Sequence, residues 1–184
     1  MKKGDFSLKG FTIIEVSLVL AIAGLIFLMI FIALPALQRQ QRDTARKEDI
    51  TALISAVKKY QTNNRGSLPS GTGSDIHKAT GEKYTKTDWS GFLRDYMGDG
   101  FEDPSSGEEY SLNVVTCGTG TTGETCPSAE DVTGSTFPNE FRMYVLLEAK
   151  CSGDEATGAV KVSNPRKIVV LYKLEGGGVY CENS

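Results

Sequence analysis

Apolar and polar residues are unevenly distributed along the chain. From Leu18 to Leu34 no side chain is polar, and from Phe11 to Leu37 only Thr12, Glu15 and Ser17 interrupt the apolar run. At ~1.5 Å per residue a helix over 11–37 spans roughly 40 Å, enough to cross the ~30 Å hydrocarbon core of a bilayer. The run is therefore expected to enter a membrane. Behind it, "QRQQRDTARKED" is polar all round. Then Ile50, Leu53, Ile54, Val57 and Tyr60, with Ala56, recur at i, i+3, i+4 and i+7, an apolar stripe fit to pack on a sheet. Asn, Gly and Pro in "NNRGSLP" give a stop near Asn64–Pro69. The pattern predicts one helix from about Thr12 to Asn63, ~78 Å long, hydrophobic over 11–37 and amphipathic over 38–64.

The period changes after residue 65. "SGTGSDIHKATGEKY" reads as a polar loop with a solvated His77. "TDWSGFLRDYM" reads as a short helix capped by Thr87 or Asp88, with Trp89, Phe92, Leu93 and Tyr96 on one core-facing side. "YSLNVVTC", "FRMYVLLEAKC" and "KIVVLYKLE" are alternating or β-branched runs between Gly, Pro and Asn clusters, the signature of strands. In the second run Phe141, Met143, Val145 and Leu147 share a face that would cover the helix stripe. "EGGGVYCE" reads as a tight turn into a short last strand. A long helix followed by antiparallel strands defines an α+β fold, with 65–184 as a globular, β-rich head.

Charge narrows the function. The chain of 184 residues has a net charge of −3, but residues 65–184 carry 11 Lys/Arg against 18 Asp/Glu. An acidic head argues against a broad phosphate-binding surface, since nucleic-acid affinity rests on Lys and Arg; binding through a local patch stays open. The head offers no Ser/His/Asp set, no metal-ligand spacing and no phosphate loop, so it does not read as an enzyme. In "GDGFEDPSSGEEY" the acids Asp99, Glu102, Asp103, Glu108 and Glu109 have the charge to attract calcium, without the alternating pattern of an EF-hand loop.

All four cysteines, Cys117, Cys126, Cys151 and Cys181, lie in the head and none shows CxxC spacing. An even count beyond a membrane segment points to two disulfides and an oxidising, extracytoplasmic location. Three pairings are possible. The favoured one joins Cys117–Cys126, closing "GTGTTGET", and Cys151–Cys181, tying the last hairpin to the preceding strand.

The first forty residues admit three readings. A secretory signal peptide has a shorter apolar stretch and a small-x-small cleavage site, neither present here. A plain anchor leaves Glu15 unexplained, because an acid at the centre of a spanning helix costs ~2.5–3.5 kcal/mol and near the end still needs an offset. The third reading starts from "KGFTIIEVSLVLAIAGLIF": a short basic leader, Met1–Gly10, then Phe11, then Glu15 at the fifth position of an apolar helix. In this the chain resembles the type IV prepilins. The motif covers about 30 residues; the architecture of helix and disulfide-bonded head extends the likeness less specifically over the whole chain.

The resemblance implies removal of the leader after Gly10 by a membrane-bound prepilin peptidase and N-methylation of Phe11. Glycine before the cut lets the backbone lie extended in a protease cleft. The cut creates a cationic amine, and the resemblance pairs Glu15 with the Phe11 amine of a neighbouring subunit. Two opposite charges ~4 Å apart attract by ~4 kcal/mol at an effective dielectric of ~20, comparable with the cost of keeping the acid among lipids. Gly24 and Pro35 weaken the helix. In many pilins a glycine and a proline eight residues later bracket a segment that loses helicity in the filament; here the proline comes eleven residues on.

Lys2, Lys3 and Lys9 before the span nearly balance Arg39, Arg42, Arg46 and Lys47 after it, so orientation with the head outside rests on the cysteines and the resemblance. The implied function is that of a pilus subunit, held in the cytoplasmic membrane and polymerised into an extracellular filament for adhesion, motility or DNA uptake. Its implied partners are copies of itself, the peptidase, a platform membrane protein and an assembly ATPase. A pseudopilin or minor pilin of a secretion or competence machine is the near alternative, and a membrane-tethered binding domain the distant one.

Overall fold

A computed structural model describes residues 10–81, 84–118, 126, 142–153 and 158–184. Of the sequence expectations, the leader before Gly10, Phe141 and most of the Gly/Thr loop lie outside these residues.

The first and longest element is helix α1, Ile13–Asn63, which runs without interruption through Pro35. The chain divides into two units, Met1–Gln40 and Gln41–Ser184. Within the second, strand β1 (Gly73–Ile76) precedes a short helix α2 (Trp89–Phe92), which continues as one π turn over Leu93–Met97. The remaining strands are β2 (Ser111–Thr116), β3 (Arg142–Leu147), β4 (Ala149–Cys151), β5 (Ala159–Lys161), β6 (Ile168–Lys173) and β7 (Val179–Asn183). Five form one sheet in the order β1-β2-β3-β6-β7, and β4 and β5 pair separately. The fold is α+β.

The sheet is mixed, which corrects the antiparallel expectation. β2 and β3 run parallel, from Ser111 opposite Arg142 to Thr116 opposite Leu147, while the other neighbours are antiparallel. A parallel pair needs a crossover of a dozen or more residues, and residues 117–141 provide that length between the two strands. Three further corrections concern short elements. β1 forms inside the stretch read as a polar loop, because Asn113 Oδ1 accepts from the Asp75 amide while Asp75 takes a positive φ of 61°. The run "FRMYVLLEAKC" is two strands, broken at Glu148, whose φ of 57° turns the chain out of the sheet. Strand β5 gave no signal beyond "AVK".

Strand residues alternate between two apolar layers. Leu112, Val114, Met143, Val145, Ile168, Val170 and Tyr172 face α1 and α2, meeting Ile50, Leu53, Ile54, Val57, Tyr60, Trp89 and Phe92. Tyr144, Leu146, Val169 and Leu171 face the other way, under Ala149, Ala159, Cys117 and Cys126. Both faces are covered, so β3 and β6 read as continuous apolar runs rather than strict alternations. The expected helix stripe is the buried stripe of α1. Asp88 caps α2, its carboxylate accepting the Gly91 amide at 2.8 Å, and Tyr96 stacks on Phe92 within the same cluster.

Candidate functional site

The start of α1 is built from backbone demands first. Gly10 and Phe11 are non-helical and exposed. Thr12 caps the helix: its hydroxyl accepts the Glu15 amide at 3.3 Å, and its carbonyl accepts the amides of Glu15 and Val16. Thr12 and Glu15 therefore occupy the two positions of a Thr-x-x-Glu capping pattern, a local signal the sequence reading passed over. An acid in the first helical turn also meets the positive end of the helix dipole, worth ~0.3–1 kcal/mol. Glu15 thus has a local structural use beside the intermolecular one implied by the resemblance. Phe11 stands four residues before it, 82 % exposed.

Two glycines of this segment have no steric reason to be glycine. A Cβ built on Gly10 or on Gly24 meets nothing within 4 Å, and neither residue has a positive φ. At Gly24 the residue costs ~1 kcal/mol of helix propensity relative to alanine, with no packing return inside the chain.

The surface that follows is apolar all round. Eighteen large apolar side chains from Phe11 to Leu37 are exposed, and α1 is long and apolar enough to cross a membrane. At ~1.5–3 kcal/mol for burying each fully, that surface outweighs the ~5–15 kcal/mol net stability of a folded domain. It requires a cover of lipid or protein.

Beyond Gln40 the polar stretch of α1 grips the head. Arg42 forms a two-pronged ion pair with Glu175, its Nε donating at 2.7 Å. Asp43 accepts the amides of Glu175 and Gly176, both at 2.8 Å, at the turn between β6 and β7. A Cβ on Gly176 would stand 3.0 Å from that carboxylate, and Gly177 and Gly178 both hold positive φ, so "EGGGV" is explained residue by residue. Lys47 lies over the Tyr180 ring at 4.9 Å.

Deeper, Arg46 and Asp103 form a buried pair. Ser105 and the Tyr172 hydroxyl also donate to Asp103. Burial alone would raise the Asp103 pKa, but the hydrogen bonds from Arg46 and Ser105 prevail and hold it below the usual carboxylate range. Burial pulls Arg46 the other way too, and its bonds to Asp103 leave it more firmly charged. Asp49 is raised, by burial first, against the hydrogen bond it accepts from Tyr110. The sequence reading placed these residues in a helix segment polar all round and missed the grip, because nothing in "QRQQRDTARKED" marks Arg46 as buried.

The five acids of the loop offered to calcium do not converge. Asp103 turns inward to Arg46, while Asp99 and Glu109 share Lys78 at 2.9 Å each. Among the described residues no three His, Cys, Asp or Glu side chains gather as a metal site. His77 is exposed and lies 3.6 Å from Asp75. Cys117 is bonded to Cys126 and Cys151 to Cys181, with Cα separations of 4.6 and 5.9 Å.

Comparison with known families, curated proteins and solved structures returns no match to this chain.

Proposed function

We propose that the chain is a type IV pilin or pilin-like subunit, cut after Gly10, methylated at Phe11 and assembled through α1 into an extracellular filament. The observation that carries this reading is the exposed cylinder of apolar side chains from Phe11 to Leu37, headed by Gly10, Phe11 and Glu15. A plain anchor has no use for an accessible Gly–Phe step, nor for a glycine at 10 or 24 that no neighbour requires. A protease cleft and a close-packed bundle of helices use both. The membrane holds the subunit, head outside, until the apolar cylinder exchanges lipid for the same surface of neighbouring copies. Its remaining partners in this reading are the prepilin peptidase, the platform protein and the assembly ATPase.

The test is the intact mass of the mature chain, reduced and unreduced. Loss of residues 1–10 with one added methyl group supports the reading. A full-length mass in filament-rich material overturns it, and a full-length mass without filaments assigns the chain to a monomeric tethered head. Copy number in sheared filaments then separates a major pilin, which dominates, from a scarce pseudopilin.

A further inference from the structure

All four cysteines lie on one side of the main sheet. The layer between the sheet, α1 and α2 contains none, whereas Cys117, Cys126, Cys151 and Cys181 all belong to or pack on the layer over the opposite face. Among the described residues that outer layer is thin. β4 and β5 are three residues each and pair with each other as a separate two-stranded sheet, a unit that is marginal alone in water. They cover Tyr144, Leu146, Val169 and Leu171 with small side chains, Ala149 and Ala159. The inner layer has large interlocking ones, Trp89, Phe92, Leu53 and Tyr172, and the ion-paired grip of α1 besides. Each disulfide ties the thin layer to the main sheet: Cys126 to Cys117 at the end of β2, and Cys151 of β4 to Cys181 of β7.

We propose that the two disulfides make the outer layer a redox-dependent cover. Thiol–disulfide exchange frees β4, β5 and Cys126 from the outer face, while α1, α2 and the inner face stay folded. In each exchange a dithiol attacks one protein sulfur, passes through a mixed disulfide and leaves as its own cyclic disulfide. Its two hydrogens end on the two cysteine thiols, so electrons and protons balance. The oxidised head presents Lys150, Val160 and Lys161 of β4 and β5; the reduced head presents an apolar sheet face, a surface that associates with others. Oxidation therefore completes the outside of a head whose helix-bearing core already stands. This does not rest on the pilin reading.

The test is hydrogen exchange on the full chain in detergent micelles, with and without dithiothreitol. The expected result is exchange about tenfold faster or more in β4, β5 and Thr116–Gly118, with less than about a twofold change over Ile50–Tyr60, Leu112–Val114 and β6. Loss of protection in both layers together overturns the proposal, as does unchanged protection of β4 and β5 once mass shows four free thiols. Because a reductant can fail to reach a covered sulfur, the variant Cys117→Ser, Cys126→Ser, Cys151→Ser, Cys181→Ser carries the same measurement. Protection lost only in the outer layer supports the proposal. Protection lost throughout, or kept throughout, overturns it.

Discussion

Arg46 gives its edge to Asp103, Nε to one carboxylate oxygen at 2.7 Å and Nη2 to the other at 3.1 Å, with both side chains out of water. Arg46 also has Asp43 at 3.3 Å and Glu175 at 3.5 Å, so its charge keeps company when Asp103 is lost. Asp103 has no such reserve. Arg46→Met should therefore cost ~3–5 kcal/mol, the penalty of stranding a buried charge. Asp103→Asn, whose one oxygen still accepts from Ser105 while its amide nitrogen faces the Tyr172 hydroxyl as a donor, should cost less. Urea unfolding of the full chain in micelles checks the order; a cheaper Arg46→Met would contradict it.

Asp49 and Asp103 should respond to pH in opposite senses. Asp103 is depressed on folding, so its contribution is present above about pH 4 and lost as the pH falls through its folded pKa. Asp49 is raised on folding, so its contribution is present in acid and lost as the pH rises through its folded value. Asp49→Asn should stabilise the head at pH 7 and leave it unchanged near pH 3, while Asp103→Asn should flatten the acid limb of the stability curve. Thermal midpoints between about pH 2.5 and 7 read both.

Gly91 leaves no room for a side chain. A Cβ there would lie 2.0 Å from the Thr85 carbonyl oxygen, a backbone atom that no rotamer change moves. Gly91→Ala should displace α2 and loosen Trp89 and Phe92 on either side, costing ~1–3 kcal/mol or more. Gly98→Ala is the comparison, with open space around it but φ 67° and ψ −149°, a conformation essentially reserved for glycine; it should cost ~1–3 kcal/mol from backbone strain alone and leave Trp89 and Phe92 in place.

Glu15→Gln separates the two uses of that residue. Glutamine serves at the third position of a capping pattern as glutamate does, so helix content and membrane insertion should stay unchanged. The charge is gone, however, and if the chain is the pilin proposed above, an attraction of ~4 kcal/mol to a neighbouring amine goes with it, so filament yield should fall by about tenfold or more. Normal yield from Glu15→Gln would leave the residue as a cap.

What was legible in the sequence is what repeats. The stripe of Ile50, Leu53, Ile54, Val57 and Tyr60 declares a helix and its buried side, and the aromatic face of α2 declares a second one. What was not legible depends on partners distant in the chain. Strand direction is invisible to alternation, so the parallel pairing of β2 and β3 left no mark. The kink at Glu148 falls on a residue with no turn signature. Arg46 looks like its solvated neighbours until Asp103, 57 residues on, folds over it. At the start of α1 the Thr-x-x-Glu spacing of Thr12 and Glu15 is itself readable as a helix cap.

The hold of Asp43 on the turn after β6 has an evolutionary reading. Its two donors are main-chain amides, those of Glu175 and Gly176. An amide is the same in nearly every residue, so this joint places little demand on the side chain at 175. In heads that diverge from this one, Asp43 leaves residue 175 free to drift, while the turn itself keeps its demand for glycine at 176, 177 and 178. The joint would then outlast much of the resemblance between the sequences that make it.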